Sequence, residues 1–126
     1  MSELELSDQY FDLSFLLEIA DGSSEFIVES IDMFLQQTPE QLQLIDDYIE
    51  QMDWPNAGAA AHKFKPTLGF FGMLNTQSLI QQVEAACKAG GQDLYDILQK
   101  LDEVKATLAV NIVTLKRLKA EAEAKL

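Results

Sequence analysis

LYDILQKLDEVKATLAVNIVTLKRLKAEA, residues 94–122, decides the fold class of this chain. Its apolar residues Leu94, Ile97, Leu101, Val104, Leu108, Ile112, Leu115, Leu118 and Ala122 recur at intervals of three and four without a break, which is the period of one helix face and not the alternation of a strand. At a rise of about 1.5 Å per residue the segment makes one amphipathic helix about 45 Å long. Asp93 stands where a cap of its first turn belongs, and Gly90-Gly91 closes the helix before it.

The same spacing continues upstream. A helix capped by Asn75 is expected to bury Leu79, Val83 and Ala86, with Ile80 and Cys87 flanking. Before it, Ile27, Ile31, Phe34, Thr38, Leu42, Ile45, Ile49 and Met52 hold one helical phase across Pro39, although an interior proline costs about 3 kcal/mol. Thr38-Pro39-Glu40-Gln41 has the form of a capping box with proline at the first helical position, so one helix can end and a second restart there with little change of direction. A short helix over Leu13 to Ala20 precedes this, stopped by Asp21-Gly22. Strand signals are nearly absent, and there is no repeat, low-complexity tract or linker. The expectation is an all-α fold: a four-helix up-and-down bundle with a short extra N-terminal helix, one principal helix kinked at Thr38-Pro39, and residues 1–126 forming a single domain.

Composition narrows the function. With 126 residues and 48% hydrophobic content, the chain can bury one core and is too short for two. Its single cysteine, Cys87, has no partner for a disulfide and reads as a small core residue. The opening Met-Ser-Glu-Leu-Glu-Leu-Ser-Asp is acidic where a signal peptide is basic and then apolar, and no apolar run approaches a membrane span. The cytoplasm is the expected location. A net charge of −12 argues against binding a nucleic acid backbone.

The acids are unevenly placed. With 21 Asp and Glu in the chain, a random stretch of this size would hold about five, yet Trp54 through Val83 has none and carries Lys63 and Lys65. Burial alone would explain the gap. So would a negatively charged group held within it, and the segment contains the only histidine, His62.

Written as a helix, the segment puts Ala57, Ala61, Phe64 and Leu68 on one apolar stripe. His62 points elsewhere, with Gly58, Ala59, Lys65, Pro66 and Gly69 around it at helical spacings. Other chemistries fail on inventory. A serine or cysteine triad needs a base beside its nucleophile, and zinc needs three or four ligands; one histidine and one distant cysteine supply neither. Gly69-Phe70-Phe71-Gly72 lacks the lysine and hydroxyl residue of a phosphate loop. A neutral imidazole is, however, a competent nucleophile toward an activated phosphoryl group, and a lysine one turn later can offset charge on that group. Pro66 removes the backbone bond to the carbonyl of His62 and disfavours helical geometry at Lys65. Either the helix ends there, or it continues to about Gly69 with a local bend beside the histidine.

The stretch Ala61 to Gly72 resembles the histidine-containing phosphotransfer (HPt) domain family: an Ala-His pair, a lysine three residues on, small residues after it, and a glycine ten residues after the histidine. His62, Lys65 and Gly72 fit, and the likeness extends through Asp53-Trp54 and Phe34-Leu35-Gln36-Gln37-Thr38-Pro39. The resemblance implies a four-helix bundle that does not catalyse by itself. Its histidine accepts a phosphoryl group from an aspartyl phosphate on a receiver domain and hands it to another receiver. The partners implied are receiver domains of response regulators and hybrid histidine kinases, with no nucleic acid, no membrane and a monomer expected. No cofactor or metal is expected on the chain itself, the receiver bringing Mg²⁺. His62 would be the phosphoacceptor, through Nε2, and Lys65 would stabilise the phosphoryl oxygens. Gly69 would leave clearance, Gly72 would permit the turn into the next helix, and docking would centre on Lys63, Pro66, Gly69 and Gly72. Two positions depart from the family pattern. Pro66 stands where most members have glycine or serine, and Glu84 where many have a glutamine that reaches the histidine. A carboxylate at 84 could hold Nδ1–H and raise imidazole basicity, or repel the phosphoryl group. Two other readings stay open: a docking module that binds a receiver or kinase without carrying phosphate, and an unrelated helical scaffold in which the acid-free segment reflects burial alone.

Overall fold

In the computed structural model, which describes residues 7–8 and 11–126, about four in five of the described residues lie in one of five helices. The acidic opening from Met1 falls outside the described residues, apart from Ser7 and Asp8. Two strands of two residues each, β1 (Ser7–Asp8) and β2 (Phe11–Asp12), pair antiparallel with Ser7 opposite Asp12 and Asp8 opposite Phe11. The helices follow as α1 (Ser14–Ala20), α2 (Ser24–Glu50), α3 (Trp54–Phe70), α4 (Leu74–Lys88) and α5 (Leu94–Glu123).

Caps explain most of the boundaries. The Ser23 hydroxyl accepts from the Phe26 amide at 3.1 Å, the Asp53 carboxylate from Asn56 at 3.3 Å, and the Asp93 carboxylate from Asp96 at 3.0 Å. Asp21 leaves α1 in the left-handed region, with φ +46°. Asp93 and the Asp21-Gly22 stop act as the sequence indicates. Asn75 does not: it lies inside the first turn of α4 and is exposed, and the cap is Met73, which offers no side-chain hydrogen bond.

The restart at Thr38-Pro39 does not occur either. Helix α2 runs unbroken through Pro39. The proline ring is exposed, so the fault costs one backbone bond on the solvent side, while Phe34, Thr38 and Ile45 stay buried on the opposite face. That burial holds the helix together, each large apolar side chain contributing about 1.5–3 kcal/mol. The ends of the expected stripes are looser: Met52 and Leu94 are exposed.

Connections of three to five residues force neighbouring helices antiparallel. The short links 71–73 and 89–93 place α4 between α3 and α5, and α2 closes the ring by packing on both α3 and α5. The direction is written in the ion pairs: Asp46 meets Lys105 at 2.7 Å and Asp32 meets Lys119 at 2.6 Å, so α2 and α5 run opposite ways. The result is the four-helix up-and-down bundle, with α1 laid against α2. Ala57, Ala61, Phe64 and Leu68 fill the core as expected. In α4 the buried line is Thr76, Ile80, Val83 and Cys87, rotated by about one residue from the expected Leu79, Val83 and Ala86, and in α5 Asn111 is buried where Ile112 was expected.

Candidate functional site

The close approach of α3 and α4 begins at Gly58. A Cβ there would stand 3.4 Å from Cγ of Lys88 and 3.6 Å from Cβ of Cys87, in ordinary van der Waals contact, so the space facing α4 holds a methyl group and little more. Held this close, α4 turns one polar stripe toward the histidine: Gln77, Gln81, Glu84 and Lys88, spaced by four, three and four. The far end of α4 is set by Gly91, with φ +66°, where a Cβ would overlap the indole of Trp54.

Glu84 is the centre of the cluster. It is 3% exposed, yet charged groups converge on it from two helices. Its Oε2 lies 2.9 Å from Nδ1 of His62 and 2.6 Å from Nζ of Lys88, and its Oε1 lies 2.6 Å from Nζ of Lys65. Lys65 also donates to Oε1 of Gln81, and Gln77 donates to the Lys65 carbonyl at 3.0 Å. Burial pushes the Glu84 carboxyl up; hydrogen bonds from Lys65, Lys88 and His62, with the charge of Lys65, outweigh it and hold the pKa at about 2. The group is therefore a carboxylate near neutral pH.

That charge state orients the imidazole. A carboxylate only accepts, so Nδ1 of a neutral His62 carries the proton and Nε2 keeps its lone pair. The side chain of His62 is 66% exposed. The arrangement thus presents a nucleophilic nitrogen to solvent with its ring held from behind. Of the two possibilities for a carboxylate at 84, the structure shows the contact of the first, with the oxygens on the Nδ1 edge.

In front of the ring lies an open groove of about 460 Å³ between α3 and α4, lined by His62, Lys65, Pro66, Leu74, Gln77, Ser78 and Gln81. Pro66 is also the shared wall of a second groove of about 460 Å³, between α2 and α3, whose lining includes Phe26, Met33, Phe34, Phe70 and Phe71. The helix does not end at Pro66; it runs on to Phe70.

The structure brings His62, Lys65 and Glu84 together. Pro66 joins them at the rim, and Lys63 is exposed on α3 outside both groove linings. Gly69 faces α4, where a Cβ would stand 2.8 Å from Nε2 of Gln77, so part of its clearance is used by the chain itself. Gly72 has φ +68° in the turn between α3 and α4, and the side a Cβ would take is filled by the backbone of Asp12, whose amide donates to the Gly72 carbonyl at 3.1 Å. Sequence reasoning missed Lys88, Gln77, Gln81 and Leu74. The signal was available in the i, i+4, i+7, i+11 spacing of Gln77, Gln81, Glu84 and Lys88. Cys87 is buried, and burial pushes its thiol up. Among the described residues no helix is long and apolar enough to cross a membrane.

A family model for the Hpt domain matches residues 29–123. No curated protein and no solved structure matches the chain. The matched residues span nearly all of α2 and the whole of α3, α4 and α5, and so contain every member of the His62 cluster. The chain belongs to the Hpt domain family, whose members serve histidine phosphotransfer in phosphorelays.

Proposed function

We propose that His62 is the phosphoacceptor of a relay in which one receiver domain gives a phosphoryl group to this chain and another receiver takes it. The observation that carries this reading is the exposed imidazole whose Nδ1 is engaged by a buried carboxylate. The lone pair of Nε2 attacks phosphorus of the receiver's aspartyl phosphate, the N–P bond forms as the P–O bond breaks, and the electron pair leaves with the aspartate. Lys65 faces the developing charge on the phosphoryl oxygens, and Glu84 takes up the positive charge that spreads to Nδ1–H. The chain carries the group without catalysing on its own, because the receiver contributes the aspartate and the Mg²⁺ beside it.

The docking face in this reading is the exposed side of α3 around Lys63, Pro66 and Gly69, continued by the apolar groove beyond Pro66. Hydrophobic contact there suits a transient complex of modest area. The test is transfer from a labelled, phosphorylated receiver with Mg²⁺, comparing wild type with His62→Gln. Acid-labile, alkali-stable label present in wild type and absent in the variant is the expected result. Absence of label from a broad panel of receivers, with binding intact, would instead make the chain a docking module.

A further inference from the structure

One cation in the cluster has no task in the reading above. Lys88 lies one turn beyond Glu84 on α4, and its Nζ is 2.6 Å from Oε2, the same oxygen that faces Nδ1 of His62. Lys65 occupies the other oxygen. One buried carboxylate therefore carries two ammonium groups, where one would neutralise it.

The second cation matters when phosphate arrives. With Glu84 and Lys65 alone the cluster is neutral, and a phosphoryl group adds a charge of about −2 on the far nitrogen of the ring. Lys65 then has two anions to serve. If it turns to the phosphoryl oxygens, Glu84 is left as a buried carboxylate without a counter-ion, and such a group takes up a proton or leaves its seat. The first leaves Nδ1–H only a neutral, weaker acceptor and the second leaves it none, and both loosen the hold on the ring. If Lys65 stays on Glu84, the phosphoryl oxygens lose their cation. Lys88 removes the conflict. Its stem passes over Gly58, with Cγ 3.4 Å from where a Cβ would be.

We propose that Lys88 is a positioning residue for phosphotransfer: it keeps the Glu84 carboxylate seated on Nδ1 of His62 while Lys65 serves the phosphoryl group. The inference rests on His62 as the phosphoacceptor. It also states why this chain needs a cation that a neutral glutamine at position 84 would not.

The test is single-turnover transfer from a labelled receiver to wild type, Lys88→Met, Lys88→Arg, Glu84→Gln and the Glu84→Gln/Lys88→Met double variant, with imidazole ¹⁵N spectra of the same proteins before and after phosphorylation by phosphoramidate, a small phosphodonor. Because the Lys88 side chain is 61% exposed and partly screened, Lys88→Met should slow transfer by about fivefold. Lys88→Arg should restore the rate, and Lys88→Met should have no effect once Glu84 is glutamine. Before phosphorylation wild type, Lys88→Arg and Lys88→Met should all show Nδ1–H; after it, the Nδ1 proton should exchange slowly with solvent in wild type and Lys88→Arg and rapidly in Lys88→Met. Wild-type transfer by Lys88→Met overturns the proposal, and so does an equal loss in both backgrounds, which would place Lys88 in receiver docking. If wild type takes phosphate neither from a receiver nor from phosphoramidate, the phosphoacceptor reading fails on its own; if it takes it, equally slow exchange of the Nδ1 proton in phosphorylated Lys88→Met overturns the role given to Lys88.

Discussion

Replacing Glu84 by glutamine should turn an acid-sensitive protein into a less acid-sensitive and less stable one. The carboxyl is 3% exposed and its pKa is held at about 2, against an ordinary 4.5. Burial opposes that fall and is already contained in it, so the shift measures the net gain from Lys65, Lys88 and His62. Such a shift is worth about 3 kcal/mol. The sign follows from the direction. A carboxyl whose pKa drops on folding stabilises the folded chain above pH 4.5, and that contribution drains away as pH falls toward 2. Glutamine has the shape of the protonated acid, so Glu84→Gln should be about 3 kcal/mol less stable at pH 7, equivalent to a melting point lower by about 10 °C. Urea unfolding of both proteins at steps from pH 7 to pH 2 checks this. The two stability curves should run parallel down to about pH 5 and then converge, meeting near pH 2. An offset that stays constant to pH 2 would refute the reasoning, because it would assign the loss to packing or hydrogen-bond geometry and not to ionisation. No offset at pH 7 would refute it equally.

Three further outcomes test the surroundings of the site. Gly72→Ala forces a Cβ against the Asp12 carbonyl at a φ of +68°, and should cost about 2 kcal/mol or more while speeding amide exchange at Asp12; an unchanged melting point would count against the close contact. Gly69→Arg displaces only the flexible end of Gln77 and its bond to the Lys65 carbonyl, so stability should fall by about 1 kcal/mol while transfer from a receiver drops at least about tenfold; normal transfer would contradict the docking geometry. Cys87 is 1% exposed, and a disulfide-exchange reagent should modify it only as fast as the chain unfolds; rapid reaction of the folded protein would show an opening beside α3 and α4.

The long stripe of α5, the caps at Asp93 and Asp21-Gly22, and the core face of α3 were all legible, because each depends on residues within a turn or two of one another. The misreadings share a cause. Proline in α2 was expected to break the helix on local grounds, but burial of Phe34, Thr38 and Ile45 across the bundle outweighs one lost backbone bond. The apolar residues of α4 cover more than one narrow stripe, so Leu79 and Ile80 were equally good candidates for the innermost position. Contact with α3 and α5 selects Ile80 and turns Leu79 partly outward. In α5 the stripe from Ile97 to Ala122 is buried as expected apart from one position, where Asn111 in place of Ile112 keeps the alternation of three and four between Leu108 and Leu115.

The site divides in the same way. His62 and Lys65 stand one turn apart on a single helix, and the small residues beside them are a local pattern, so the sequence by itself singled out an exposed imidazole with a cation near it and a helical bundle to carry both. It could also name Glu84 as a departure, but not the sign of its effect. That depended on the distance between His62 and Glu84, which lie on different helices and 22 positions apart in the chain. Only the packed bundle, with α3 and α4 drawn together at Gly58, places the carboxylate on Nδ1 and surrounds it with Lys65 and Lys88. Helix propensity and periodicity are properties of neighbours along the chain; the charge state of a buried carboxylate is a property of neighbours in space.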